Sequence, residues 1–361
     1  MQVSSRQYYP QLDFVKTLAI IAVLVLHTLN VNQLYGISWQ FHVQQGVPIF
    51  FVVIGITSLI TFADKGLYSI AYFRRRFERI IFPFMLTFLV VLFGIAIVTV
   101  AKAYDPNLFT HFQTYWGWQL AIGLLPRYGP GNYFVTIMLQ FILVAPLIMW
   151  LYRKSPMAAL LVLFGIDLAF EFAAPHVFTG DAYLYAACIF RYFAAIALGL
   201  WIGKEFLATG KTGFWTKRSA LIWLLLPLSL WYLIEAQNIK QPFSLFKPEW
   251  SSQNIISYAY TALLVMLLVK AWEYLSRLKL MPILKLGKAS YHIFLVQIVY
   301  FAFLPYTPNN VAVRLVMNIV VCCLVGLAFQ EVEQRLLRML KGFAHNKSVK
   351  SIEAETKISS N

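Results

Sequence analysis

The sequence predicts an all-α polytopic membrane protein with about ten transmembrane helices. Of its 361 residues, 60% are hydrophobic and only 12% are charged, whereas a soluble domain carries roughly 25% charged residues. The mean hydropathy of +0.67 agrees, and the apolar residues fall into runs of about 20 residues, the length that crosses a bilayer as a helix. Runs of this length without strict alternation favour helices over buried strands.

Ten segments meet this criterion and are predicted as spans, and a shorter apolar segment lies between the third and fourth. The short segment, residues 116–125 within the connection 103–131, predicts an interfacial or re-entrant helix. One integral membrane domain is expected over residues 1–341, followed by a polar, disordered cytoplasmic tail over 342–361. The predicted spans are residues 14–31, 46–63, 80–102, 132–151, 157–174, 186–203, 220–236, 255–272, 289–304 and 315–330.

The basic residues predict the orientation of the chain. The formal net charge is +15, but Lys and Arg cluster in short connections between apolar runs, which disfavours a nucleic-acid partner. Because Lys and Arg accumulate on the cytoplasmic side of membranes, and most of them fall in alternate connections, we expect both termini to be cytoplasmic. The first span shows no cleavage pattern after it and is expected to remain as a helix.

The first predicted span carries three ionisable residues on nearly one face. Lys16 and His27 are eleven residues apart, which corresponds to about 20° of net rotation and about 16 Å of rise, and Asp13 lies about 40° from the same line. Histidine is the side chain best suited to accept a proton from a hydroxyl at neutral pH. An alternative is that Asp13 and Lys16 mark the membrane boundary while His27 packs in a polar corner with Asn30.

An arginine cluster stands at the start of the third predicted span. It contains Arg74, Arg75, Arg76 and Arg79, and the last two are one helical turn apart, so that they can grip phosphate together through forked guanidinium groups. The alternative is a topological anchor that contacts anionic lipid.

Two further polar groups lie in later spans. Ser290 and Gln297, at the start of the ninth span, are seven residues apart and share a helix face with Tyr291 beside them; helix–helix hydrogen bonding is the alternative role. Asp167 and Glu171 stack at i,i+4 in the fifth span, which implies that one of them is protonated or paired, and they are candidates for a polar acceptor channel.

Several other chemistries are disfavoured by the motifs. The three cysteines, Cys188, Cys322 and Cys323, lack metal or redox spacing. No serine-hydrolase elbow, zinc-protease motif or phosphate-binding loop occurs. We therefore expect no metal site.

Taken together, five segments resemble the acyltransferase-3 family of integral membrane acyltransferases over nearly the whole chain. The family's opening Leu-Asp-x-Leu-Arg pattern and later His are similar to Leu12–Lys16 and His27, with Lys in place of Arg. Its Arg-x-x-Arg-Ile-x-Pro segment resembles Arg76 to Pro83 with one extra residue. Its Gly-Val-(Asp/Pro)-Leu-Phe-Phe-x-x-Ser-Gly segment resembles Gly46–Gly55, with Ile54 in place of Ser.

The remaining two matches come from the middle and the end of the chain. The family's Trp-Phe-Leu-type segment is similar to Tyr133-Phe134-Val135, followed by Gln140 and Pro146. Its closing Gly-Lys-x-Ser-Tyr-x-Ile-Tyr-Leu-x-His pattern resembles Gly287–Gln297, with Phe294 in place of Tyr and Gln297 in place of His.

The resemblance implies transfer of an acyl group, usually acetyl, from cytoplasmic acyl-coenzyme A (acyl-CoA) to a hydroxyl of a glycan or glycolipid at a bacterial plasma membrane. No bound cofactor is expected, since acyl-CoA is the donor substrate. The implied catalytic residues are His27, as general base or transient acyl carrier, with Asp13 and Lys16. Donor binding is expected at Arg75, Arg76 and Arg79. The expected acceptor channel comprises Tyr133, Gln140, Asp167, Glu171, Ser290, Tyr291 and Gln297.

Two other function classes remain open. A transporter or flippase would also need intramembrane charges, although it would more often show internal repeats or paired broken helices. An unrelated membrane-bound O-acyltransferase would place its histidine late in the chain rather than in the first span.

Overall fold

The computed structural model describes residues 8–62, 69–100, 129–178, 182–210, 213–237, 252–278, 280–303 and 308–359. These residues form thirteen α-helices and three short 3-10 turns, with no strand among them. The predicted all-α class is confirmed. The 3-10 turns are Trp39–Phe41, Ile189–Tyr192 and Ser276–Leu278.

The helices are numbered in chain order, and most coincide with the predicted spans. The first seven are α1 (Pro10–Thr28), α2 (Val31–Gly36), α3 (Gly46–Thr61), α4 (Ile70–Val100), α5 (Tyr133–Lys154), α6 (Pro156–Val177) and α7 (Ala182–Ala186). The remaining six are α8 (Phe193–Thr209), α9 (Ser219–Gln237), α10 (Tyr258–Leu275), α11 (Met281–Lys288), α12 (Ser290–Phe303) and α13 (Val311–Ser359).

Nine spans in the described part of the chain are long and apolar enough to cross a bilayer. A tenth arises if α11 and α12 are counted as one span, because the two helices together meet the criterion and are bent by 67° at Ala289. The polytopic membrane architecture predicted from the sequence is therefore confirmed.

The structure differs from the sequence prediction at two helix ends. The third span begins at Ile70 rather than near residue 80, so the arginine cluster is part of α4, since long arginine side chains can place their charge in water while the backbone stays helical. The last helix extends from Val311 to Ser359, beyond the predicted span 315–330, and the polar cytoplasmic tail over 342–361 stays a prediction. The predicted re-entrant segment 116–125 lies outside the described residues.

Contacts between helix ends define two faces of the helix assembly. At one, which we call the basic face, Arg76 in the first turns of α4 donates to Thr61 Oγ1 at the end of α3 (2.7 Å). At the opposite face, Asn318 near the start of α13 donates to Thr28 Oγ1 at the end of α1 (3.2 Å). α1 therefore runs from the basic face to the opposite face, and α3 runs back.

Glycines bring α3 and α8 into backbone contact. A Cβ atom on Gly55 would lie 2.3 Å from the carbonyl oxygen of Ile196, and one on Gly199 would lie 2.1 Å from that of Val52. Small residues at such positions let membrane helices approach closely without a hydrophobic driving force. This contact fixes the position of α3, whose Val47, Phe50 and Ile54 face the cavity described next.

Candidate active site

The site is built where two motifs from opposite ends of the chain meet. A Cβ atom on Gly287 in α11 would lie 1.9 Å from the carbonyl oxygen of Asp13 in α1. Thr17 Oγ1 donates to the carbonyl oxygen of Ile283 (2.6 Å). The start of α1 is therefore held against α11, and α12 begins immediately beyond this contact.

Both carboxylate oxygens of Asp13 have partners near the start of α1. Its Oδ1 lies 2.5 Å from Lys16 Nζ, and its Oδ2 accepts a hydrogen bond from the Tyr8 hydroxyl (2.8 Å). Burial, and then the hydrogen bond to this carboxylate, raises the pKa of Tyr8 above its usual value. The Lys288 ammonium stands over the Tyr8 ring, 4.4 Å from its centroid. These contacts position the first turn of α1.

A cavity of about 780 Å³, part of it open space, lies beside this contact. Five helices, α1, α3, α4, α5 and α12, contribute to its wall. Its polar lining comes from the basic-face turns of α4 and α12. The lining residues are Val23, Val47, Phe50, Ile54, Arg76, Arg79, Ile80, Phe134, Met138, Ser290, Tyr291 and Phe294.

The two ends of this cavity differ in chemistry. Val47 and Ile54 both line it and are seven residues apart, so the cavity extends about 10 Å along α3. Arg76 lies beyond the Ile54 end, because it reaches Thr61. Val23 lies at the Val47 end, since the preceding Gly46 packs against Ala19 and Val23. The cavity is thus cationic towards the basic face and apolar at its other end.

The structure separates the three arginines expected to bind the donor. Arg76 and Arg79 both line the cavity. Arg75 lines a different surface depression with Arg74 and Glu78, and Arg74 Nε pairs with Glu78 there (2.9 Å). The guanidinium of Arg76 is held by Thr61 and stands 5.9 Å from the Tyr72 ring centroid, so its position is set before any ligand binds.

His27 lies at the other end of α1 from Asp13 and Lys16. It is in the last helical turn, half-buried, with its ring 6.0 Å from the ring of Phe301. It does not line the cavity, but Val23 does, and residues four apart stack on one helix face. His27 is therefore one turn, about 6 Å of rise, beyond the apolar end of the cavity.

Ser290 and Tyr291 both line the cavity, as the first two residues of α12. The Tyr291 hydroxyl donates to the carbonyl oxygen of Ile80 (2.9 Å), the residue after Arg79. Tyr291 thereby ties α12 to α4 at the cationic end. Beside it, His292 Nε2 lies 3.2 Å from Glu333 Oε2 of α13.

Gln297 and Gln140, predicted in the acceptor channel, hold backbone groups instead. Gln297 Nε2 donates to the carbonyl oxygen of Pro130 (3.0 Å), and Gln140 Oε1 accepts from the amide of Ile189 (2.8 Å). Tyr133, also predicted there, is buried at the start of α5. None of the three lines the cavity.

Asp167 and Glu171 belong to a second buried polar cluster, away from the cavity. Asp167 Oδ2 accepts from the amide of Ala194 (2.9 Å), and Glu171 Oε2 accepts from the Tyr185 hydroxyl (2.8 Å). Both carboxylates interact electrostatically with Arg191, which is fully buried. The i,i+4 spacing predicted that the two acids lie together. It did not identify their partner, Arg191, which lies in the 3-10 turn before α8.

The sequence interpretation missed the aromatic side of the cavity. Phe134 and Phe294 lie within motifs that were recognised, yet the predicted roles fell on their polar neighbours. The sequence did contain a signal for both rings, because Phe294 lies four residues after Ser290 and Phe134 directly follows Tyr133. No group of three or more His, Cys, Asp or Glu side chains able to hold a metal ion occurs among the described residues.

The chain is similar to a family of known proteins. A family model described as an acyltransferase domain, that of the acyltransferase-3 family, matches residues 9–329. No curated protein and no solved structure shows significant similarity to the chain. The matched region contains α1 to α12, every residue that lines the cavity, and His27.

Proposed function

Because this chain belongs to the acyltransferase-3 family and is therefore a membrane acyltransferase, we propose that it transfers a short acyl group, acetyl, from acyl-CoA to a hydroxyl of a cell-surface glycan or lipid-linked sugar. The observation that carries this proposal is the polarity of the cavity. Arg76 and Arg79 stand at one end, and its apolar end stops one turn short of His27.

The cationic end suits the phosphates of coenzyme A. Arginine binds phosphate through two parallel hydrogen bonds, and charge-assisted contacts of this kind are about twice as strong as neutral ones. Arg76 is already oriented by Thr61 and Tyr72, so little side-chain entropy is lost on binding. With the phosphates there, the pantetheine arm and its thioester extend along α3 towards Val23.

His27 then lies on the side from which an acceptor hydroxyl approaches the thioester. As general base, its imidazole takes the hydroxyl proton while the oxygen attacks the thioester carbonyl carbon. The carbon–oxygen ester bond forms, the carbon–sulfur bond breaks, and the proton passes to the departing coenzyme A sulfur. Alternatively, the imidazole carries the acyl group transiently before the acceptor takes it.

The distribution of basic residues agrees with a donor that binds from the cytoplasmic side. The basic face carries Lys16, Arg76, Arg79 and Lys288, the pattern expected of a cytoplasmic surface. The acceptor then enters from the opposite face, where α1 ends. A bacterial plasma membrane is the setting that the family resemblance implies.

Transfer is tested with membrane vesicles from cells that express the chain. Radiolabelled acetyl-CoA is supplied, and the label is followed into glycolipid and glycan extracts. Label above that of vesicles with His27→Gln, at equal amounts of inserted protein, supports the proposal.

The alternative of a transporter or flippase predicts a different result. Such a protein would move a polar substrate across the vesicle membrane without incorporating the label. Unlabelled extracts together with uptake of a sugar or glycolipid would overturn the acyltransferase proposal.

A further inference from the structure

We propose that three aromatic rings in the apolar part of the cavity, Phe50, Phe134 and Phe294, limit the transferred acyl group to a short chain. We call these rings the aromatic floor. This inference rests on the proposed function, since it assumes that the cavity receives acyl-CoA. It concerns which acyl groups are accepted.

The aromatic floor is a continuous packed group contributed by three helices. The Phe134 ring centroid lies 4.9 Å from that of Phe294 and 5.9 Å from that of Phe50, and both pairs are tilted. Behind it, the fully buried Phe51 lies 5.7 Å from Phe134 and stacks on Tyr192 at 4.1 Å. Tilted aromatic pairs at these distances attract one another beyond simple burial, so the rings do not separate easily.

The position of the arginines sets the direction of the donor. The phosphates bind at Arg76 and Arg79, and Ile54 lies between this end and Phe50 on the same face of α3. The acyl group is the far end of the donor, so it points towards the floor. Each added methylene would then press against the packed rings of the floor.

The start of α5 is anchored in a way that keeps Phe134 in place. Gln297 donates to the carbonyl oxygen of Pro130, and Gly131 turns the chain with a positive φ of 84°, which favours glycine. Phe294 precedes Gln297 by three residues on α12, so the helix that supplies the anchor also supplies part of the floor. Gln297 is thus a positioning residue for the floor.

Met138 and Phe134 are four residues apart on α5 and both line the cavity. Methionine adapts its shape readily, whereas a phenylalanine ring is stiff, so the ring of Phe134 sets the limit. Discrimination of one methylene in an apolar pocket is typically about 10- to 200-fold. Enlarging the floor should therefore raise the affinity for a longer acyl group, relative to acetyl, by at least that factor.

The test is binding of coenzyme A, acetyl-CoA and hexanoyl-CoA to the purified full-length protein, measured by titration calorimetry. Wild-type protein should bind hexanoyl-CoA at least about 10-fold more weakly than acetyl-CoA. Phe134→Ala should raise the hexanoyl-to-acetyl affinity ratio by roughly 10- to 200-fold. Phe134→Leu, a milder change, gives a smaller rise and serves if the alanine variant does not fold. Gln297→Leu should raise the ratio in the same direction.

The matched control is Leu143→Ala, a large-to-small change in the same helix at a side chain that is 64% exposed on its outer surface. Its affinity ratio should equal that of the wild type. Equal binding of hexanoyl-CoA and acetyl-CoA by the wild type, or an unchanged ratio in both Phe134 variants, would overturn the inference and leave the donor site intact. Failure of all three ligands, coenzyme A included, to bind would overturn the proposed function itself.

Discussion

Gly287 and Asp13, from opposite ends of the chain, are in backbone contact, and a Cβ atom at 287 would lie 1.9 Å from the Asp13 carbonyl oxygen. Only glycine fits there, because the atom that would be approached is backbone and cannot move aside. Through this contact α11 holds the first turn of α1, and α12 carries Ser290 and Tyr291 into the cavity wall. The opening and closing motifs of the sequence are one structural unit.

We therefore expect Gly287→Ala to destabilise the protein by about 1–3 kcal/mol or more, as overpacking does. The thermal unfolding midpoint in detergent measures this. Gly165→Ala is the matched control: Gly165 lies in α6 with nothing within 4 Å of its added Cβ, so alanine there should stabilise by roughly 0.5–1 kcal/mol through its better helix propensity. Equal effects of the two changes would contradict the contact.

Arg76→Ala and Arg79→Ala should each weaken acyl-CoA binding. Each removes a charge-assisted phosphate contact of about 1.5–3 kcal/mol, which is roughly 10- to 150-fold in affinity. Lysine at either position should recover part of the loss, because the charge remains but the fork does not. Titration calorimetry with coenzyme A measures both effects.

Arg75→Ala is the control for this pair, since Arg75 is exposed and lines another depression. Its coenzyme A affinity should stay within about threefold of wild type, the scale of a weak exposed charge contact. An equal loss in all three variants would instead favour a diffuse electrostatic role for the cluster.

His27→Ala should abolish acyl transfer without preventing insertion, with a loss of about 10²- to 10⁴-fold if the residue is a general base. His27→Gln should be nearly as inactive, because an amide keeps a hydrogen bond but cannot accept the proton. Lys16→Arg, in the same helix, should remain active because it keeps a cation beside Asp13. Label incorporated from acetyl-CoA is the measurement, and an active His27→Gln protein would leave His27 with a packing role only.

Arg191→Met should destabilise the protein strongly while leaving donor affinity in the folded fraction unchanged. The change leaves Asp167 and Glu171 buried without the cation that they face, and breaking a buried charge cluster in this way costs about 3–5 kcal/mol. Arg335→Met breaks an exposed pair with Glu331 and should cost less than about 1 kcal/mol. Thermal unfolding of the two variants, side by side, checks the difference.

The basic face should be cytoplasmic. In a background with Cys188, Cys322 and Cys323 replaced by alanine, single cysteines at Ser276 and Asn309 probe the two faces, since both positions are exposed. Ser276 follows α10, whose Trp272 packs on Phe14 near the start of α1, and Asn309 precedes α13 at the opposite face. An impermeant thiol reagent added to intact cells should label the Asn309→Cys variant and spare the Ser276→Cys variant. The reverse pattern would invert the orientation and place the proposed donor cavity outside.

The sequence by itself determined the helical class, most of the spans and the location of Arg76 and Arg79 on one helix face. These features depend on local properties: the length of apolar runs, and the one-turn spacing that puts two side chains on one helix face. The resemblance to a family was carried by the same short motifs, and the family match over residues 9–329 confirms it.

The tertiary structure alone decided which side chains share a cavity. Arg75 and Arg76 are adjacent in sequence, yet helix packing turns one into the cavity and the other away. Gln297 occupies the motif position where the family has His, but its amide donates to the carbonyl oxygen of Pro130. The rotation of α5 places Phe134 on the cavity instead of Tyr133. Such outcomes depend on how close the helices approach, and glycines such as Gly287 set that approach through contacts between residues far apart in sequence.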